Sequence, residues 1–170
     1  MREILFKAKR IDNGEWVIGN LIYSEDAEEG WEAIIIPTFD SNMFTKGGAK
    51  GNLGFENWYR VDKDTICQYT GLTDKNGNKI WENDVIRTQK YTDKPHSKNF
   101  KEKAFVGVVT YKIYSTNNFN NPSIPNHNYK AEWEVELTEK LGKFTYRSRS
   151  KFYDCEVIGN SFDNPELLGV

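Results

Sequence analysis

The residues with the best spacing for chemistry are two carboxylates, Glu82 and Asp84, on either side of Asn83. Such a pair can act as an acid and a base, or it can hold a metal ion. Either chemistry needs further catalytic or metal-binding residues, and no other motif in the chain has the spacing to supply them. The alternative, which we favour, is a solvated or capping pair that orders a corner at Asn83.

Histidine and cysteine offer a second catalytic combination. His96 and His127 lie in predicted loops, whereas Cys67 and Cys155 lie in strand-like runs. A thiol and an imidazole far apart in sequence can meet as nucleophile and base, but buried thiols are poor nucleophiles. We expect two small buried cysteines, with a disulfide between them as the alternative. We expect no catalytic residue, no cofactor and no metal site.

Two basic segments combine cations with aromatic residues. Segment 87–103 holds six Lys or Arg against two acids, and segment 140–151 holds five with no acid. On a small barrel, such cations can track phosphates while rings stack on the bases of single-stranded nucleic acid. The other interpretation is two solvated loops, since the chain has a net charge of -2. The candidate residues are Arg87, Lys90, Lys94, Lys98, Lys101, Lys103, Lys140, Lys143, Tyr146, Arg147, Arg149 and Lys151.

An aromatic group in the N-terminal part has two interpretations. It consists of Trp16, Trp31, Trp58 and Tyr59. These residues either belong to the core or form a subunit interface, where Trp and Tyr are favoured.

Short strands must position all of these residues. Residues 3–9 and 15–23 alternate between apolar and polar, and Asn13-Gly14 between them favours a hairpin turn. Asn83 is the natural residue for a positive φ angle at the corner before the next strand. Further strand-like runs occupy residues 33–36, 65–69, 85–87, 105–114, 129–137, 144–149 and 152–158.

Turn signals separate these runs at about ten-residue spacing, which predicts an all-β barrel or sandwich. They include Gly71-Leu72 and Asn76-Gly77, a glycine-rich surface loop at 41–53, and a C-terminal turn at 163–168. No helical pattern is evident, and no stretch approaches the roughly 20 apolar residues of a membrane span. We therefore expect a cytoplasmic protein without a membrane partner.

Three blocks of sequence resemble the YopX family of bacteriophage and prophage proteins. They comprise residues 1–7 with 11–16, residues 68–77 with Ile80, Glu82, Asp84 and Ile86, and residues 155–160 with 163–168. The resemblance implies a phage or prophage origin, a compact β-rich fold and self-association. It implies no reaction, so no catalytic residue is carried over to this chain.

The combined prediction is a mainly β fold, with short antiparallel strands around a small barrel-like core and little helix. Its 170 residues form either one domain or two regions, an N-terminal hairpin region at 1–60 and a YopX-like region at 61–170. We expect a non-enzymatic accessory protein of the bacterial host cell that binds a phage or host protein partner, as a homo-oligomer. Nucleic-acid binding through the two basic segments is the alternative.

Overall fold

The computed structural model describes residues 3–38, 43–46, 52–91, 103–116, 128–137, 152 and 155–169. These residues form twelve strands and two short 3-10 turns, and the strand pairs are antiparallel. The prediction of a mainly β fold with short antiparallel strands and little helix is confirmed. The chain divides into two compact units, Met1–Gly71 and Leu72–Val170.

The first unit is built on one antiparallel sheet. In hydrogen-bonded order, this sheet contains β6 (Tyr59–Arg60), β3 (Ala33–Pro37), β2 (Trp16–Tyr23), β1 (Phe6–Lys9) and β7 (Cys67–Thr73). A separate hairpin joins β4 (Met43–Lys46) and β5 (Asn52–Phe55). A 3-10 turn, Lys63–Thr65, precedes β7.

The core of the first unit lies against β1 and β3. Ala8, Ala33, Ile35 and Val61 are buried together. The alternation of β1 and β2 places Phe6, Val17 and Leu21 against this cluster. Ile18 and Ile22 of β2 are instead exposed. The opening hairpin is confirmed, since β1 and β2 pair antiparallel and Gly14 takes a φ of 73° in their turn.

The second unit contains the longest strands of the described chain. Its sheet has the order β11 (Asn128–Leu137), β10 (Lys103–Thr116), β9 (Asp84–Tyr91) and β12 (Cys155–Asn160). β8 (Lys79–Trp81) precedes β9, and a 3-10 turn, Pro165–Leu168, follows β12. The core consists of Ile80, Ile86, Val109, Val135, Phe152 and Cys155. The described strands do not close into a barrel.

Two local predictions were wrong. Gly71-Leu72 is not a turn, because β7 continues to Thr73 with Gly71 at a φ of 82°, an angle that glycine adopts without strain. The turn predicted from Asn76-Gly77 is confirmed, since the chain reverses at 74–77. The predicted surface loop at 41–53 contains β4 and the first two residues of β5. Each strand has four residues, which is too few for a clear alternating pattern.

Two further predictions, a strand and a domain boundary, stay predictions. The strand at 144–149 lies outside the described residues. The domain boundary at residue 61 stays a prediction, because contacts between residues do not establish which region folds alone. Within the described part of the chain, no helix has the length and hydrophobicity of a transmembrane span.

Candidate functional site

The predicted corner at Asn83 joins β8 to β9. Asn83 has a φ of 63°, which confirms the expected positive angle. Its N–H donates to the carbonyl of Val109 at 2.8 Å, and its carbonyl accepts from the N–H of Ser161 at 2.9 Å. Hydrogen bonds at both backbone groups thus hold this corner in a conformation that few non-glycine residues adopt.

Asp84 is a structural carboxylate. Its side chain is 2% exposed, and its Oδ2 accepts the N–H of Trp81 at 2.8 Å. Its Oδ1 accepts from Nδ2 of Asn160 at 3.2 Å, so the carboxylate ties the corner to the end of β12. The capping interpretation is therefore confirmed for Asp84, while Glu82 is half-buried beside it.

A second buried carboxylate, Asp74, was missed by the sequence reasoning. It is 6% exposed. Its Oδ1 accepts the backbone N–H groups of Asn76 and Asn78, both at 2.9 Å. Its Oδ2 accepts the N–H of Val157 at 3.1 Å and Nδ2 of Asn78 at 3.2 Å. An Asp two residues before Asn-Gly indicates an Asx-turn, but no residue near Asp74 in the sequence predicts its hydrogen bond to Val157.

The cysteines are buried and free, as predicted. Sγ of Cys67 donates to the carbonyl of Thr65 at 3.4 Å, and Sγ of Cys155 donates to that of Phe152 at 3.3 Å. Both histidines of the proposed catalytic combination lie outside the described residues. Within the described ranges, no three His, Cys, Asp or Glu residues are grouped to hold a metal ion.

The basic segments are only partly described. Arg87 lies on β9 with an exposed side chain, and the backbones of Lys90 and Lys103 lie in β9 and β10. Nine candidates lie outside the described residues: Lys94, Lys98, Lys101, Lys140, Lys143, Tyr146, Arg147, Arg149 and Lys151. Nucleic-acid binding by these segments therefore stays a prediction.

Two tryptophans of the N-terminal aromatic group form an exposed pair. Trp31 and Trp58 are 44% and 47% exposed, with ring centroids 5.9 Å apart and an angle of 40° between the rings. The guanidinium of Arg60 lies 4.8 Å from the Trp31 centroid. We call Trp31, Trp58 and Arg60 the Trp patch. The core interpretation is wrong for both tryptophans.

The other two aromatic residues are half-buried and lie under cations. The ammonium groups of Lys7 and Lys9 lie 5.0 and 5.6 Å from the Trp16 centroid. The guanidinium of Arg10 lies 4.1 Å from the Tyr59 centroid. Their rings are therefore covered by side chains of the same chain and are less exposed than the two tryptophans of the Trp patch.

A tight turn before β3 positions Trp31. The N–H of Trp31 donates to the carbonyl of Glu28 at 2.9 Å, and Gly30 has a φ of 78°, as the third residue of a type II turn requires. Oε2 of Glu32 accepts the N–H of Gly30 at 2.6 Å. Its Oε1 pairs with Nζ of Lys63 at 3.0 Å. These contacts hold the turn before any partner arrives.

Exposed carboxylates lie next to the Trp patch in the chain. Four lie in the segment between β2 and Trp31, and one lies two residues before Trp58. They are Glu25, Asp26, Glu28, Glu29 and Glu56. Among the described residues, none of the five makes an ion pair or a side-chain hydrogen bond. Within the described ranges, the Trp patch thus combines apolar rings with carboxylates nearby in the chain that no cation pairs with.

Comparison with known proteins assigns the fold. The model of a family described as YopX protein matches residues 6–169. The crystal structure of protein EF1440 from Enterococcus faecalis is similar over 99% of this chain and 99% of that chain, with a TM-score of 0.51 and 19% identity. At this identity the likeness concerns the fold alone. No curated protein matches the chain.

Proposed function

The chain belongs to the YopX family, and we propose that it acts by binding a protein partner through the Trp patch, without catalysing a reaction. The observation that carries this proposal is the contact between two exposed tryptophans, Trp31 and Trp58, beside Arg60. Trp and Arg are the residue types most enriched among those that dominate binding energy at protein interfaces.

The area left to bury makes the Trp patch energetically relevant. A buried Trp removes up to about 250 Å² from water, so covering the exposed 44–47% of each ring removes about 100 Å². At about 25 cal/mol per Å², this burial contributes about 2.5 kcal/mol per ring. Because the turn is already held by Glu32, little ordering cost opposes this gain.

A second apolar surface supports self-association. Tyr111 and Ile113 on β10 are 48% and 67% exposed, and the Tyr111 ring packs edge-on against Trp133 with centroids 4.9 Å apart. We propose that this surface joins copies of the chain, leaving the Trp patch for a phage or host protein. Light scattering of the full chain tests the first part, and the mass of a single chain would contradict it.

Affinity capture with matched variants tests the role of the Trp patch. The wild type, Trp31→Ala/Trp58→Ala and Ile4→Ala/Ile18→Ala serve as baits in extracts of the bacterial host. Ile4 and Ile18 are 62% and 45% exposed, and Ile18 pairs with Lys7 of β1 rather than with β3. This control therefore removes exposed apolar area from segments that do not carry the Trp patch. We expect a defined protein retained by the wild type and the control, and reduced at least about tenfold on the tryptophan variant. Equal retention by all three baits contradicts the proposal.

A further inference from the structure

The charges around the Trp patch restrict what can bind there. Five exposed carboxylates lie near Trp31 and Trp58 in the chain, against one cation of the Trp patch, Arg60, so these exposed charges sum to a negative balance. Removing such charges from water without partners is unfavourable, and like charges placed against them are repelled. An acidic segment or a phosphate backbone is therefore disfavoured at this surface.

The rings themselves favour a cation. Arg60 already places its guanidinium 4.8 Å from the Trp31 centroid, which is within the range of a cation–π contact. The angle of 40° between the rings keeps them from covering each other face to face, and about half of Trp58 remains exposed. A second cation can therefore contact Trp58 while it pairs with a neighbouring carboxylate.

Two carboxylates lie on the turn that precedes Trp31. Glu28 and Glu29 lie within the hydrogen-bonded turn that ends at Trp31, and both are exposed. Lys63, the cation bound to that loop, is engaged by Glu32 rather than by these residues. Arg or Lys side chains of a partner would thus meet unpaired carboxylates at the edge of an apolar surface, where charge directs specificity and association rate.

We propose that the partner presents a segment rich in Arg or Lys to the Trp patch, and this inference rests on the proposed function. The cations of the segment stack on Trp58 and pair with Glu28 and Glu29. The partner is therefore a protein with a basic segment, and binding weakens as salt screens the charges.

Labelled peptides of about ten residues, in which Arg, Gln or Glu alternates with Leu, provide the probe. Fluorescence anisotropy measures their affinity for the full chain at about 50 mM and about 300 mM salt. We expect the Arg peptide to bind most tightly and to weaken at the higher salt. Equal affinity for the Gln peptide, or no detectable binding of the Arg peptide, would overturn the inference.

Matched charge variants locate the contact. Glu28→Gln/Glu29→Gln is compared with Glu136→Gln/Glu166→Gln, which neutralises two exposed carboxylates of the second unit. We expect the first variant to weaken Arg-peptide binding about five- to tenfold and the second to change it less than about twofold. An equal effect of the two variants would overturn the inference.

The tryptophan variant separates this inference from the proposed function. If extracts still show a partner that requires Trp31 and Trp58, but the Arg peptide does not bind, only the basic character of the partner is wrong. If Trp31→Ala/Trp58→Ala leaves both the captured protein and the Arg peptide bound, the Trp patch is not the binding surface and both proposals fail.

Discussion

Replacing Asp74 by Asn keeps the size of a buried side chain while removing its charge and one accepting oxygen. In the wild type, the two oxygens accept four hydrogen bonds, three of them from backbone N–H groups. The amide of the variant can keep the two bonds at Oδ1 by placing its NH2 group at the Oδ2 position. There the NH2 group faces the N–H of Val157, and two donors cannot bond to each other.

The cost follows from the bonds that are lost. A hydrogen bond to a charged group contributes about 1.5–3 kcal/mol, and an unsatisfied buried donor costs about 1–3 kcal/mol. Asn78 is exposed, so its amide can turn to water, which leaves the Val157 donor as the main loss. We expect Asp74→Asn to lower the free energy of unfolding by about 2 kcal/mol, or Tm by about 4–8 °C for a chain of this size.

The pH dependence has a definite sign. Burial acts to raise the pKa of Asp74 and is the largest single influence, but the hydrogen bonds from Val157, Asn78 and Asn76 together outweigh it and lower the pKa below the ordinary 3.8. A lowered native pKa stabilises the fold above the unfolded pKa, and that stability is lost as pH falls through the native value. Asp74→Asn lacks this carboxylate, so the difference in free energy of unfolding between the variant and the wild type should become smaller in acid.

Urea unfolding followed by circular dichroism at about pH 7 and about pH 3 measures both effects. Asp64→Asn is the control, because this exposed aspartate should change stability by less than about 0.5 kcal/mol. The reasoning is refuted if Asp74→Asn matches the wild type at neutral pH. It is also refuted if Asp74→Asn is less stable than the wild type by as much at about pH 3 as at about pH 7.

Three other predictions concern backbone fit and binding. Gly19→Ala places a Cβ against the carbonyl oxygen of Ile36 in β3, so we expect the free energy of unfolding to fall by about 3 kcal/mol. Asn20→Ala, at an exposed position, should change Tm little. Asn83→Gly should retain stability, while Asn83→Val should cost about 2 kcal/mol at this φ angle; equal thermal stability of the two would contradict this. If segments 87–103 and 140–151 bind single-stranded DNA, anisotropy should show affinity that falls steeply with salt. Salt-independent binding, or none, would exclude phosphate contacts there.

The features predicted correctly are those with a local cause. Asn83 was assigned a positive φ angle because few other residues tolerate one, and its neighbours offered no glycine. The opening hairpin followed from alternation around Asn13-Gly14. Residues 129–137 alternate so regularly that their strand was placed within one residue of β11. Each of these signals is contained in a few consecutive residues.

The missed features depend on distant residues. Asp74 is 83 residues from Val157, so the sequence shows the turn but not the strand that the turn holds. The exposure of Trp31 and Trp58 depends on which neighbours cover them, and composition alone favours the core for any Trp. Gly71 carries the same positive φ angle as a turn glycine, although the strand continues through it.

The residues that carry the family resemblance are largely engaged in holding the fold. Asp74, Asp84 and Asn160 each direct their side-chain oxygens to donors of the same chain. Trp31 and Trp58 lie outside the three blocks that resemble the family, and their rings remain half exposed. Substitutions at the buried carboxylates should therefore lower stability, whereas Trp31→Ala/Trp58→Ala should lower partner binding with Tm nearly unchanged. If the Tm of Trp31→Ala/Trp58→Ala is as low as that of Asp74→Asn, the Trp patch stabilises the fold. The loss of partner binding by this variant would then follow from unfolding.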